Sequence, residues 1–264
     1  QQHKSMSHKT KSKLRSVYRK FRPAMIQALE NSPLKISREG ISKISSHEIT
    51  YDEQESYTLS EPEGKRPLPT QLDNACGKFQ LPQPSVHELQ DISLVGPDAI
   101  PIASYNRYVL PEFAGNTREV INSMMRSLYE GVIPVRLPAS ISGHSPTISL
   151  TGRGSCAYFH WCSDYLPRLQ AAEVYADSTG KFPDVLIPPN PPSFVTESLN
   201  YMNVPDSNII PWDADRMSVS TLLLPSSRHD SQENLNCGRY SPRALQWVRD
   251  TILSNVNISE TEPK

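Results

Sequence analysis

No run of eighteen apolar residues occurs anywhere in this chain, so no segment of it is expected to cross a membrane as a helix. The stretch KLRSVYRKFRPAMIQAL near the start is too short and too highly charged to act as a signal peptide. Export by that route is therefore not expected, and the sequence predicts a cytoplasmic protein.

The chain also lacks the cysteine and glycine motifs of several common sites. It has no CxxC pair of the kind that binds zinc, and its cysteine spacing is not that of a secreted disulfide framework. Neither GxxxxGK[ST] nor GxGxxG is present, which argues against nucleotide binding at the segment TGRGS. We interpret the cysteines as small buried hydrophobic side chains, at Cys76, Cys156, Cys162 and Cys237.

Acidic residues are absent from the first 22 positions, so a formal net charge of −1 conceals a basic arm. The arm is interpreted as a solvated, frayed terminus that is dispensable for folding, with contact to an anionic membrane surface or to nucleic acid as alternatives. Of these partners we expect no nucleic acid, and membrane association through the arm stays open. Its basic residues are Lys4, Lys9, Lys11, Lys13, Arg15, Arg19, Lys20 and Arg22.

Three regions follow from the composition and the hydrophobic pattern. Residues 1–30 are predicted to be the basic arm, partly disordered or a short helix, and residues 31–88 an irregular segment with short strands and no packed layer. Residues 89–264 are predicted to form an α/β lobe. Between 89 and 111 we expect three short strands separated by turns, and a helix over 116–131.

After position 146 the pattern alternates between strand and helix. TISLTGRGS is interpreted as a strand or loop, and DVLIPP, NIIPW and MSVSTLLLPS as strands. PSFVTESLNYMNV and SPRALQWVRDTILSNV are interpreted as helices, the second with Ser241 as N-cap and Pro242 at its first position. This alternation predicts a small, mostly parallel, Rossmann-like sheet preceded by a β-layer.

The segment SCAYFHWCSDYLPRLQAAEVYA, at positions 155–176, concentrates the chemistry of the chain. On a helix, His160, Asp164 and Arg168 lie four residues apart and share one face. Pro167 inside that helix costs about 3 kcal/mol unless it marks a kink, and a kink beside His160 and Asp164 indicates a cleft. The alternative is structural: Asp164 pairs with Arg168, and His160 is a buried imidazole.

The segment YFHWCSDYLPRL resembles the signature of the family 61 glycosyltransferases, which is approximately Asn-Tyr-x-His-Trp-x-x-Asp-x-Leu-Pro-Arg-Leu. The likeness extends weakly on both sides, from about position 89 to 252. One departure is that Ala157 stands where the family usually has Asn, which puts a polar contact there in doubt. The matching residues are Tyr158, His160, Trp161, Asp164, Leu166, Pro167, Arg168 and Leu169.

The resemblance implies a two-lobed GT-B-like enzyme that transfers a sugar from a nucleotide sugar to a glycan or other hydroxyl acceptor, with inversion and without an obligatory metal or bound cofactor. This chain resembles the N-terminal, acceptor-side lobe, and no sequence after Trp247 resembles the C-terminal donor lobe. We therefore expect the chain alone to be inactive, as part of a polysaccharide or glycoconjugate synthase. The alternative is a non-catalytic module that binds a glycan or a protein.

Roles for individual residues combine their chemistry with this resemblance. His160 or Asp164 is the candidate general base for the acceptor hydroxyl, either directly or with Asp164 orienting the imidazole. Tyr158 and Trp161 offer flat surfaces to a sugar ring, although both residue types are common in cores. Arg168 is a candidate for donor phosphate, with pairing to Asp164 as the alternative. Ser155 opens the helix, where free N–H groups suit an anion or a sugar oxygen.

Overall fold

The computed structural model of the chain describes residues 35–36, 38–63, 76–103, 107–109, 145–213, 216–230 and 239–256, together with isolated helical positions between 13 and 28. These residues form a mixed α/β fold, which confirms the predicted class. The helix expected over 116–131 lies outside the described residues. Within the described part of the chain, no helix combines the length and the apolar character needed to cross a bilayer.

The strands form one nine-stranded sheet and two small two-stranded sheets. Their bounds are β1 Lys35–Ile36, β2 Ser45–Thr50, β3 Glu55–Leu59, β4 Gly77–Leu81, β5 Ser85–Val95, β6 Ile100–Ala103, β7 Arg107–Val109, β8 Thr147–Ser149, β9 Asp184–Ile187, β10 Ile209–Pro211, β11 Arg216–Pro225, β12 His229–Asp230 and β13 Arg239–Tyr240. β3 pairs with β4, and β12 pairs with β13.

The large sheet has the order β1-β7-β6-β5-β11-β8-β9-β10, with β2 also paired to β5. The strands β11, β8, β9 and β10 are mutually parallel, and they include the three strands predicted after position 183. β5 joins β11 along one edge and shares its other edge between β2 and β6, always antiparallel. The predicted β-layer is therefore the antiparallel continuation of the parallel strands rather than a separate layer.

Both faces of the parallel strands are covered, because neighbouring residues of one strand belong to different hydrophobic clusters. In β9, Val185 and Ile187 pack in one cluster and Leu186 in the other. In β11, Leu223 and Leu224 separate in the same way. This is why these strands read as continuous apolar runs. Each run therefore contributes to both layers of core.

The second cluster shows that the segment 31–88 is more packed than expected. Its Ile36 and Ile41 are buried beside Trp212 and residues of β5. The Trp212 indole N–H donates to the carbonyl of Gly96 at 3.0 Å, which ties the end of β10 to the turn after β5. The expectation of no packed layer in this segment is wrong, because β1 and β2 pair with the main sheet and supply apolar side chains to its core.

The helices cover the sheet and form the site. They are α1 Arg38–Ile44, α2 Tyr158–His160, α3 Leu169–Thr179, α4 Ser193–Tyr201 and α5 Pro242–Asn255, with a short 3-10 turn at Asp206–Asn208. Between α2 and α3 the chain forms a π turn at Trp161–Tyr165 and a 3-10 turn at Leu166–Arg168. The predicted cap of α5 is confirmed, since the Ser241 hydroxyl accepts the Ala244 N–H at 3.0 Å.

Candidate functional site

The segment that carries the candidate residues begins in a tight turn after β8. The Ser155 hydroxyl donates to the carbonyl of Gly152 at 2.8 Å, and the Ala157 N–H donates to the carbonyl of Gly154 at 2.7 Å. Ala157 is extended and precedes α2, whose first residue is Tyr158. Ser155 is buried within this turn. Its hydroxyl therefore stabilises the approach to the helix and is not presented to a ligand.

Pro167 explains why the helical segment changes its winding three times. A proline has no N–H to donate within a helix, so the regular hydrogen-bond ladder cannot pass through it. The chain instead widens, and the Leu166 N–H donates five residues back to the carbonyl of Trp161. It then tightens into the 3-10 turn before α3 resumes. Such π turns are common at functional sites, and this one contains Asp164.

The widened turn brings His160 and Asp164 into direct contact. The distance between His160 Nδ1 and Asp164 Oδ2 is 2.7 Å. The His160 side chain is 49% exposed and that of Asp164 is 15% exposed, so the imidazole faces solvent while the carboxylate lies behind it. Within the described residues, Nε2 of His160 has no hydrogen-bond partner. This arrangement leaves one ring nitrogen available to a substrate.

Gly154 fixes where the imidazole lies. Its backbone has a φ of 85°, a conformation that suits glycine, and a Cβ at this position would come within 3.0 Å of His160 Cδ2. The ring thus rests directly against the main chain of the turn. A side chain at position 154 would displace the candidate base.

Sequence reasoning missed a second histidine at this site. His229, in β12, places its Nδ1 3.4 Å from Asp164 Oδ1, so the carboxylate lies between two imidazoles. β8 and β11 are parallel, and their carboxyl ends therefore meet at one edge of the sheet. His160 follows β8 and His229 follows β11. Ligand sites in such sheets form at this edge, but the strand order that brings the two histidines together is not encoded by a local sequence pattern.

The contacts of His229 do not form a hydrolase triad. Its Nδ1 lies 3.1 Å from the Ser227 hydroxyl and also faces Asp164. In a triad the nucleophile and the carboxylate contact opposite ring nitrogens, so that the ring relays a proton between them. Here both groups contact the same nitrogen, which excludes activation of Ser227 by this pair.

Two exposed aromatic side chains directly precede His160 in the chain. Tyr158 and Phe159 are 67% and 61% exposed. The Tyr158 ring meets Phe194 edge-on at 5.4 Å, and the Phe159 ring meets Tyr240 in the same way at 5.4 Å. Phe159 also contacts the His160 ring at 5.7 Å. The site therefore combines a basic nitrogen with apolar ring faces that are held in place by their neighbours.

Trp161 does not belong to this exposed surface. Its indole is fully buried, stacks on Tyr165 at 6.1 Å and donates its N–H to the Ser198 hydroxyl at 2.8 Å. Since both faces are enclosed, it has no surface on which a sugar ring could lie. The side chain anchors the π turn to α4 instead.

Arg168 is also directed inward. Its Nε donates to the main-chain carbonyl of Asp164 and its Nη1 to that of Ser149, each at 3.0 Å. The guanidinium lies 4.7 Å from the centre of the Tyr165 ring, and burial lowers the pKa of Arg168. The predicted shared face with His160 fails because the π turn changes the helical register. In this position Arg168 links the kink to β8 and is not placed to meet a donor phosphate.

The Tyr158 phenol and the Cys162 thiol interact with each other, and the pKa of each group is raised. Burial raises the pKa of the Cys162 thiol, with a hydrogen bond from Tyr158 partly opposing it. The neighbouring Cys162 raises the pKa of the Tyr158 phenol. Both groups are therefore neutral at physiological pH.

Metal binding finds no support in this geometry. Across the ranges that the structure describes, no group of three or more His, Cys, Asp and Glu side chains is arranged to hold a metal ion.

Comparisons with protein-family models, with curated proteins and with solved structures find no match to this chain. The functional assignment therefore depends on the contacts of His160 and Asp164.

Proposed function

We propose that this chain contributes the acceptor side of an inverting glycosyltransferase, which moves a sugar from a nucleotide sugar to a hydroxyl of a glycan or glycoconjugate. The observation that supports the proposal most strongly is the 2.7 Å contact between His160 Nδ1 and Asp164 Oδ2 on an imidazole that is half exposed. The resemblance of YFHWCSDYLPRL to the family 61 signature supports the same reaction class.

The chemistry follows from the protonation that this contact favours. A carboxylate at Nδ1 accepts a hydrogen bond from the Nδ1–H, which keeps the proton on that nitrogen and the lone pair on Nε2. Nε2 then removes the proton of the acceptor hydroxyl while its oxygen forms a bond to the anomeric carbon. The bond from that carbon to the donor phosphate breaks, and the nucleoside diphosphate leaves with the electron pair. Asp164 stabilises the imidazolium that results.

The acceptor sugar is assigned to the exposed aromatic surface. Tyr158 and Phe159 directly precede His160, and edge contacts with Phe194 and Tyr240 hold their rings. A sugar ring presents C–H groups on one face and hydroxyls around its rim, so it can pack on such a surface while a rim hydroxyl approaches Nε2. Donor binding is not assigned to Arg168, whose nitrogens serve main-chain carbonyls.

The experiment separates acceptor binding from transfer. This chain is screened on an oligosaccharide array, and the full-length gene product is assayed for acceptor-dependent release of UDP from UDP-xylose and UDP-N-acetylglucosamine. We expect His160→Ala to lower transfer by about 10²- to 10⁴-fold without loss of array binding. The matched control is His47→Ala, which changes an exposed histidine on β2. Turnover of His160→Ala at the parental rate would overturn the proposal.

A second candidate function is a glycan-binding module without catalysis. The observation that favours it is the high exposure of Tyr158 and Phe159, which binding alone would explain. In that case Tyr158→Ala weakens array binding, whereas His160→Ala changes neither binding nor any transfer. The same two variants thus distinguish the two functions.

A further inference from the structure

Asp164 is held from two sides, by residues from two distant parts of the chain. Oδ2 meets His160 Nδ1 at 2.7 Å, and Oδ1 faces His229 Nδ1 at 3.4 Å. Oδ1 is buried, and no hydrogen bond of regular geometry reaches it from the described residues. A proton on His229 Nδ1, 3.4 Å away, would give this buried oxygen a partner.

The contacts of Ser227 agree with a proton on His229 Nδ1. The Ser227 hydroxyl has a single proton, and it is donated to the carbonyl of His229 at 3.1 Å. The same oxygen accepts the main-chain N–H of His229 at 3.3 Å. With the hydroxyl proton on that carbonyl, the ring nitrogen 3.1 Å away donates to the Ser227 oxygen. A proton on His229 Nδ1 would then be shared between Ser227 and Asp164.

We propose that His229 is a positioning residue, whose Nδ1–H holds the buried Oδ1 of Asp164 so that Oδ2 stays in place to accept the Nδ1–H of His160. The two imidazoles then have the same tautomer, and Nε2 of His160 keeps its lone pair. The catalytic consequence rests on the proposed glycosyl transfer, but the tautomer of His160 exists without any substrate.

The position of His229 agrees with this role. Its ring lies 5.5 Å from the Tyr240 ring, and Tyr240 in turn contacts Phe159 beside His160. β12 and β13 pair at His229 and Tyr240, so one short hairpin supplies both contacts. The hairpin thus fixes the carboxylate on one side and the aromatic surface on the other.

The first test measures the tautomers by ring nitrogen NMR. Spectra of this chain with ¹⁵N-labelled histidine are recorded at about pH 8, above the ordinary titration range of imidazole. We expect Nδ1 to be protonated in both His160 and His229. In His229→Ala, His160 should become a mixture of tautomers, as it should in Asp164→Ala. Protonation of His229 at Nε2 alone, or a His160 tautomer unchanged by His229→Ala, would overturn the proposal.

The second test uses substitutions that differ only in where they place a donor. The amide nitrogen of asparagine can occupy the position of Nδ1, whereas that of glutamine reaches the position of Nε2. His229→Asn should therefore retain the His160 tautomer, and His229→Gln should lose it like His229→Ala. Equal behaviour of Asn and Gln would contradict a role for the Nδ1 donor. The comparison of His229→Asn with His229→Gln tests the proposal even where His229→Ala fails to fold.

Kinetics of the full-length gene product then separate this inference from the proposed function. We expect His229→Ala to lower kcat by about 10- to 100-fold with little change in KM, and His229→Asn to restore most of it. If transfer is unaffected by His160→Ala, the proposed function fails while the tautomer result stands. If His160→Ala abolishes transfer and His229→Ala leaves kcat and the His160 tautomer unchanged, the positioning role fails alone.

Discussion

Asp164 and Glu55 are carboxylates that are largely buried, and their partners differ in kind. Asp164 lies between the imidazoles of His160 and His229. Glu55, at the start of β3, accepts the Ser241 hydroxyl and the Arg243 N–H at the N-terminus of α5. A helix N-terminus stabilises a negative charge without taking part in proton transfer. We therefore expect Asp164 to serve the proposed chemistry and Glu55 to serve the stability of the fold.

The surroundings of the two carboxylates agree with this division. Glu55 is buried under the helix, and Arg228 donates to the Ser241 hydroxyl at 3.2 Å and lies 3.5 Å from Asp52. These contacts join the β3 region to α5 and enclose the charge. At Asp164, in contrast, the neighbouring imidazole of His160 is half exposed. A buried, closed network stabilises the fold, whereas an open one can receive a ligand.

The largest expected effect comes from replacing Asp164 by its amide. Asp164→Asn puts an NH₂ group where two imidazoles require an acceptor, so His160 loses the partner that sets its tautomer. Transfer by the full-length gene product should fall by about 10²- to 10⁴-fold. The free energy of unfolding should change by about 1 kcal/mol or less, because the pair is partly solvated. Acceptor-dependent UDP release and urea unfolding measure the two quantities.

The same chemical change at Glu55 should give the opposite result. In Glu55→Gln one of the two contacts with Ser241 and Arg243 loses its acceptor, and the helix N-terminus loses its negative charge. We expect the free energy of unfolding to fall by about 1–3 kcal/mol, with transfer per folded molecule unchanged. Urea unfolding of Glu55→Gln and of the parent chain measures this difference in the free energy of unfolding. Loss of transfer without loss of stability would show that the two carboxylates are not divided as proposed.

The loss of folding stability at high pH should depend on Tyr51, which lies beside Arg228 in the network around Glu55. Burial raises the pKa of Tyr51 to about 12, with the nearby Arg228 partly opposing it. Because the folded pKa lies above the ordinary value of about 10, the phenol's contribution is complete below pH 10 and is lost as pH rises toward 12. The slope in that window is about 1.4 kcal/mol per pH unit. Tyr51→Phe should remove this slope in urea unfolding measured at pH 9.5–11.5.

Much of the parallel sheet was predictable because apolar runs and capping residues are local signals. Ser241 with Pro242 marked the start of α5, and the runs at β9 and β11 marked buried strands. The contact of His160 with Asp164 was predictable for the same reason, since they are four residues apart. The inward turn of Arg168 was not, because it depends on how the chain adjusts around Pro167. The partnership with His229 depends on strand order, which no local pattern encodes.

The long-range pairings limited the prediction in the N-terminal half as well. Ile36 and Ile41 stand in a polar stretch rich in serine and lysine, so their burial is not visible from composition. They are buried because β1 and β2 pair with β7 and β5, which lie far along the chain. Contacts of this kind are decided by tertiary packing rather than by propensity.

The smallest expected effect concerns the thiols on either side of Tyr158. Cys156 is exposed, whereas Cys162 is half-buried and its pKa is raised by burial. The thiolate is the reactive form, so a disulfide reagent should modify Cys156 first and Cys162 about tenfold more slowly. With Cys76 and Cys237 both replaced by serine, the fast phase should vanish in Cys156→Ser and persist in Cys162→Ser. The hydrogen bond from Tyr158 lowers the Cys162 pKa, so Tyr158→Phe should slow the Cys162 phase further.

The Tyr158→Phe variant tests whether the surface around Tyr158 is as accessible to solvent as the exposed fraction of its side chain indicates. Because Tyr158 is largely exposed, its hydrogen bond to Cys162 competes with water, and its loss should slow the thiol by about twofold or less. A much larger slowing in Tyr158→Phe would show that the phenol and thiol are shielded from solvent. The aromatic surface beside His160 would then be closed to an acceptor, and Asp164 would resemble Glu55 after all.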